Sequence, residues 1–125
     1  MSSTSSKLVC IVDDDPFVRA ATSSLVRSFG WEAREFDSAL SFLGSTDVAR
    51  TCCLVSDIQM PTMTGLELLA RLKAVGTCPQ TLFMSAFVSD RLRAQAMADG
   101  ALCLIEKPVD AGELEGWINR ALKDS

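Results

Sequence analysis

Three consecutive acids, Asp13, Asp14 and Asp15, follow directly on the apolar run Leu8-Val9-Cys10-Ile11-Val12 and precede Pro16. Neighbouring carboxylates repel one another unless a cation or a hydrogen-bond donor relieves them, so the run calls for a hard metal ion or a lysine. Further polar groups close the later apolar runs in the same way: Asp57, Ser85, and Lys107 followed by Pro108. The chain has no His, which removes His-based acid/base chemistry, Ser-His-Asp and Cys-His pairs and the common His-containing zinc sites. Carboxylates, hydroxyls and amines remain. Taken singly, each residue has a plainer explanation. An Asp-rich turn caps a helix, Asp57 can form a turn before Met60-Pro61, and Lys107 before Pro108 can be a solvated loop amine in a trans peptide.

The elements that must position these groups follow from periodicity. Strand-like runs recur at residues 8–12, 32–36, 52–56, 81–85 and 102–105, separated by segments of helical spacing, so a βα unit repeats five times. In the first helix Phe17, Ala21, Leu25 and Phe29 recur every four residues, which predicts one apolar stripe against a sheet, with Asp15 as N-cap and Pro16 at N1. Gly30, Gly76 and Gly100 stand where helices should stop, and Thr64 with Glu67 and Asp110 with Glu113 read as capping boxes for the third and fifth helices. The fourth helix is expected from about residue 89 to 99. Short right-handed crossovers then give a doubly wound α/β domain with a parallel sheet covered on both faces. The form expected is a flavodoxin-like three-layer (βα)5 sandwich whose five strands take the order 2-1-3-4-5. Ligands in such sheets bind beyond the carboxyl ends of the strands at the switch in strand order, here between strands one and three. The acids, hydroxyl and amine all fall at carboxyl ends.

With 125 residues and 48% apolar composition the chain suits one domain, read as residues 7–125 behind a mobile Ser/Thr tail at 1–6. A formal charge of −4 carries no polyanion-binding signature, so direct nucleic-acid contact is not expected. Five cysteines without CxxC spacing, most of them inside apolar stretches where thiols act as small core hydrophobes, read as reduced, hence a cytoplasmic protein. Residues 2–6 lack the pattern of a signal peptide, and no apolar run nears the roughly 20 residues that span a bilayer.

Together, Val12-Asp13-Asp14, Ser56-Asp57-Ile58-Gln59-Met60-Pro61 with Gly65 downstream, Ser85-Ala86 and Glu106-Lys107-Pro108 resemble the receiver domain of bacterial response regulators, closest to the FixJ-type subgroup. The resemblance implies a two-component phosphorelay in which Asp57 accepts a phosphoryl group from a sensor histidine kinase or phosphotransfer protein. Asp13, Asp14, Asp57 and the Gln59 carbonyl would hold Mg²⁺, with Mn²⁺ as a substitute. Ser85, the Ala86 N–H and Lys107 would bind phosphoryl oxygens, and the Ser85 hydroxyl would move toward the phosphate and repack the face of helix four and strand five. It also implies an output in transcription, self-catalysed phosphorylation and dephosphorylation without turnover of a free substrate, and docking of the kinase beside helix one, near Arg19 and Ala20. A homodimer through helix four, strand five and helix five is a further expectation.

Two positions depart from that pattern. Leu104 stands where the family has a Tyr or Phe that rotates inward on activation, so a smaller conformational gain is expected. Phe87 stands near the path of attacking water, where its ring would either slow dephosphorylation, a role Gln59 could share, or simply pack on the loop. A phosphatase of the haloacid dehalogenase superfamily, suggested by Asp13-x-Asp15, fits less well because Pro16 replaces the small residues that follow its acid pair. The alternative is a receiver-like interaction module that works without phosphorylation.

Overall fold

The computed structural model describes residues 7–123; the tail at 1–6, expected to be mobile, lies outside the described residues. Five strands alternate with five helices: β1 (Leu8–Val12), α1 (Pro16–Ser28), β2 (Glu32–Phe36), α2 (Ala39–Leu43), β3 (Cys53–Asp57), α3 (Gly65–Ala74), β4 (Gln80–Ser85), α4 (Asp90–Ala98), β5 (Cys103–Glu106) and α5 (Ala111–Lys123). The second helix is a single short piece, and a 3₁₀ turn at Val48–Arg50 completes that crossover. All pairings are parallel and the strand order is β2-β1-β3-β4-β5, the expected one.

A parallel sheet covered on both faces needs strands apolar on both sides, and β1, β3 and β4 are buried nearly throughout. Successive side chains alternate between two cores. Val9, Ile11, Cys53, Val55, Leu82, Met84, Cys103 and Ile105 face α1 and α5 through Val26, Leu114, Ile118 and Ala121. Leu8, Cys10, Val12 and Leu54 face Phe42, Leu68 and Leu72 of α2 and α3, while Phe83 and Leu104 pack with Ile58, Leu69 and Ala96. Three layers result, with the carboxyl ends of the strands along one edge.

The caps agree with the expected punctuation. The Asp15 carboxylate accepts from the N–H groups of Phe17 and Val18 with Pro16 opening α1, and Thr64 and Glu67 form a complete capping box. Asp110 accepts from the Glu113 N–H. Gly30, Gly76 and Gly100 adopt positive φ behind α1, α3 and α4. Strands three to five run one residue beyond their apolar runs at one end or the other, because strand limits are set by pairing: Asp57, polar by type, pairs with Met84.

The stripe expected for α1 needs correction. Phe17 is 86% exposed and Ala21 is also exposed, whereas Thr22, Ser23 and Val26 are buried and Leu25 and Phe29 half-buried. A four-residue step advances about 40° beyond a full turn at 3.6 residues per turn, so a stripe of three such steps winds off the core face. Among the described residues no helix is long and apolar enough to cross a membrane.

Candidate functional site

The acid pocket is assembled where three strands end. β1 delivers Asp13 fully buried and Asp14 exposed, β3 delivers Asp57 at 6% exposure, and one carboxylate oxygen of each lies within 4.8 Å of the others. Lys107, just past β5, reaches across with its Nζ 3.0 Å from Asp13 Oδ2 and 3.2 Å from Asp57 Oδ2. The remaining oxygens are held by backbone: Asp13 Oδ1 accepts from the Asp15 N–H at 2.9 Å, and Asp57 Oδ1 from the Gln59 N–H at 3.2 Å. Burial pushes the Asp57 carboxyl above the ordinary carboxylate range; the Lys107 charge opposes this and Asp13 adds to it. For Lys107 burial works toward a lower value, but hydrogen bonding and charge pairing with Asp13 and Asp57 override it and hold the ammonium above its ordinary value.

Lys107 is therefore no free loop amine, and its peptide bond to Pro108 is cis where a trans bond was the plainer reading. Three carboxylates share the pocket with one ammonium, so acidic groups outnumber the single cation there and a divalent cation would offset them. The donor set is oxygen only and partly open to solvent through Asp14, chemistry that suits Mg²⁺, which keeps part of its water. The residues present fit that ion.

The other expected residues lie around this pocket at differing depth. Ser85 is buried at the end of β4; its hydroxyl donates to the Phe87 carbonyl at 2.9 Å and accepts from the Phe87 N–H at 3.2 Å. Gln59 Oε1 stands 3.4 Å from the same hydroxyl, whose single proton already serves the nearer carbonyl. Ala86 is exposed beside it. Phe87 is 78% exposed, so its ring does not pack on the loop; it borders a shallow groove with Gln59, Val88 and Leu92. Leu104 is 2% exposed and already packed against Ile58, Phe83 and Ala96, which leaves it no outside-to-inside swing to make. Its carbonyl accepts from Arg93 of α4 at 2.8 Å.

Three features of the site were not apparent from sequence. Thr62, in the turn between β3 and α3, adopts φ +72°, a left-handed conformation unfavourable for a β-branched residue; only its place after Met60-Pro61 hints at it. Gly65 lies so close to the end of β3 that its N–H donates to the Ile58 carbonyl at 2.8 Å. Arg19, expected near a kinase contact, turns inward: its Nη1 donates to the Asp13 carbonyl at 2.9 Å, while Ala20 is exposed.

A doubly wound sheet with three acids and a lysine at its switch point defines the receiver class, and the chain belongs to the response regulator receiver domain family, whose model matches residues 9–119. It is thus a receiver domain of two-component signalling. Among its relatives, the response regulator protein TodT of Pseudomonas putida is 37% identical over 116 residues, 93% of this chain and 51% of that protein. The transcriptional regulatory protein FixJ of Bradyrhizobium diazoefficiens is 32% identical over 117 residues, 94% of this chain and 57% of the relative. A crystal structure of FixJ-N superposes with a TM-score of 0.86 at 30% identity, covering 96% of each chain. The chain spans about half the length of the curated relatives it matches.

Proposed function

We propose that this domain accepts a phosphoryl group on Asp57 from a phosphohistidine of a sensor kinase or phosphotransfer protein, and that the modified state controls an output, transcription being the one suggested by the FixJ relatives. The observation that carries the reading is the near-buried Asp57 carboxylate facing Asp13, Asp14 and Lys107 at the mouth of the sheet. A carboxylate oxygen of Asp57 attacks phosphorus, the P–N bond breaks and the imidazole nitrogen keeps the electron pair. Water later attacks the same phosphorus and releases inorganic phosphate, regenerating the carboxylate. Such transfer needs positioning and charge compensation more than proton transfer, which suits a site without His.

Asp13, Asp14, Asp57 and the Gln59 carbonyl would hold Mg²⁺, or Mn²⁺ in its place, and the bound ion supplies positive charge that offsets the meeting of phosphoryl and carboxylate anions. Lys107 would exchange its Asp57 contact for a phosphoryl oxygen. The Ser85 hydroxyl would leave the Phe87 carbonyl to donate to another oxygen, with the Ala86 N–H beside it, and so pull the β4–α4 loop inward. Phe87, being exposed rather than packed, stands free to screen attacking water. The domain's chemistry is confined to its own Asp57, so it is no turnover enzyme, and its setting is the cytoplasm, where the kinase's phosphohistidine lies. A dimer through α4, β5 and α5 is part of the same proposal; α4, with Ala96 its one buried residue and Met97 half-exposed, is the helix least committed to the core.

The test is intact mass after incubation with a small acyl-phosphate donor and Mg²⁺, with Asp57→Asn as control. A single phosphate adduct that requires Mg²⁺ and is absent from the variant is expected. No adduct on the folded protein would refute the proposal in favour of a phosphorylation-independent interaction module, the reading that the buried Leu104 favours.

A further inference from the structure

Every polar backbone and side-chain atom of Asp13 has a partner. Its N–H donates to the Phe36 carbonyl at 3.1 Å, its two carboxylate oxygens face Asp15 N–H and Lys107, and its carbonyl accepts from Arg19. The last contact differs in kind. The Asp13 carbonyl precedes α1 and lies outside that helix's own ladder, and the group that satisfies it is a side chain one turn into the helix. Arg19 is itself oriented: its Nε lies 3.6 Å from Glu35 Oε1 on β2, and the other Glu35 oxygen lies 3.8 Å from Arg27 Nη1. Arg27 in turn donates to the Ala33 carbonyl at 3.0 Å. A planar guanidinium can address two acceptors in one fixed plane, and here it spans the end of β1 and the edge strand β2.

The Asp13 carbonyl shares its peptide plane with the Asp14 N–H, so whatever fixes that carbonyl fixes the rotation from which the Asp14 side chain leaves the backbone. Asp13 is locked by its own contacts, whereas Asp14 is exposed and owes its aim to the backbone. We infer that Arg19, oriented by Glu35, is a positioning residue for the divalent-cation site: it holds the 13–14 peptide so that the two carboxylates stay within 4.8 Å of each other and of Asp57. The inference rests on the Mg²⁺ reading given above. It explains why a positive charge is kept beside a cation site, where through-space repulsion alone disfavours it, and why Glu35 sits where it offsets that charge.

Positioning and simple charge predict opposite signs. Removing a guanidinium near a cation site tightens cation binding if charge is all that matters, and weakens it if the guanidinium holds the ligands in place. Calorimetric titration of Mg²⁺ into the full chain at physiological salt, with thermal unfolding alongside, separates the two. Arg19→Gln is expected to weaken Mg²⁺ about tenfold, the usual scale for groups that orient metal ligands. Arg19→Lys, which keeps the charge but not the planar fork, should fall between the variant and the parent. An Arg19→Gln affinity equal to or above the parent's overturns the inference; if that variant does not fold, parental affinity in Arg19→Lys overturns it equally. Absence of Mg²⁺ binding by the parent chain would instead overturn the metal reading itself.

Discussion

Gly65→Ala is the sharpest test of how the site is built. A Cβ at this position would stand 2.6 Å from the Asp57 carbonyl oxygen, 2.9 Å from Phe83 Cε1 and 3.0 Å from Ile58 Cα. Two of these are backbone atoms of the segment that carries Asp57, and the third is on a fully buried ring, so nothing nearby is a flexible side-chain end that can yield. Overpacking of this kind costs about 1–3 kcal/mol, against which Ala gains up to about 1 kcal/mol over Gly inside a helix and less in its first turn. A net loss of roughly 2 kcal/mol is expected. With about 2.1 cal/mol/K of unfolding entropy per residue, a chain of this length loses roughly 4 °C per kcal/mol, so the melting temperature should fall by about 8 °C. Gly116→Ala on α5 is the matched control: nothing lies within 4 Å of its Cβ, so the same substitution should raise the melting temperature by roughly 2–4 °C. Thermal unfolding of both variants by circular dichroism checks the pair. A Gly65→Ala protein melting at or above the parent would refute the claim that contact between α3 and β3, rather than backbone freedom, requires glycine there.

Lys107→Met leaves Asp13 and Asp57 facing each other without an ammonium, and should cost about 3 kcal/mol of stability in metal-free buffer; denaturant titration should show most of it returning with millimolar Mg²⁺, and an equal deficit with and without the ion would count against a shared pocket. Asp57→Asn should be more stable than the parent at neutral pH without Mg²⁺. A carboxyl whose folded value is raised destabilises the fold above that value and ceases to do so as it takes up a proton, so the variant's advantage should shrink as pH falls through the raised Asp57 value toward 3.8; a gap that widens in acid would contradict this. Thr62→Gly removes a β-branched residue from left-handed backbone, a relief of about 1–2 kcal/mol less the entropy cost of glycine, and should lift the melting temperature by roughly 2–4 °C.

The parallel βα architecture and the convergence of Asp13, Asp57, Ser85 and Lys107 at one edge were legible in the sequence because both follow from alternation of short apolar runs with helical segments, a signal local to each element, whereas the order 2-1-3-4-5 was a choice among doubly wound arrangements. The orientation of α1 was not, since a stripe of Phe17, Ala21, Leu25 and Phe29 satisfies a four-residue count while winding around the helix. Nor was the inward turn of Arg19, because its acid partner Glu35 lies on β2 and no spacing within α1 points to it. The same holds for Leu104. Its residue type indicated a missing aromatic, but only the packing of Ile58, Phe83 and Ala96 around it reveals that the position is already closed. What depends on which side chains meet between elements, rather than on periodicity within one, stayed hidden.

The thiols lend the two cores a chemical clock. Cys10 lies in the core beneath α2 and α3, whereas Cys53 and Cys103 lie in the one beneath α1 and α5. Burial raises Cys10 to about 11 and Cys103 to about 12, and drives Cys53 higher still, so none offers a thiolate to an alkylating agent while its layer is shut. Cys78, exposed, and Cys52, half-exposed, mark the background rate. Labelling that reaches Cys10 and Cys53 in step means the layers separate as one cooperative unit, and labelling that reaches one first identifies which half of the domain breathes on its own.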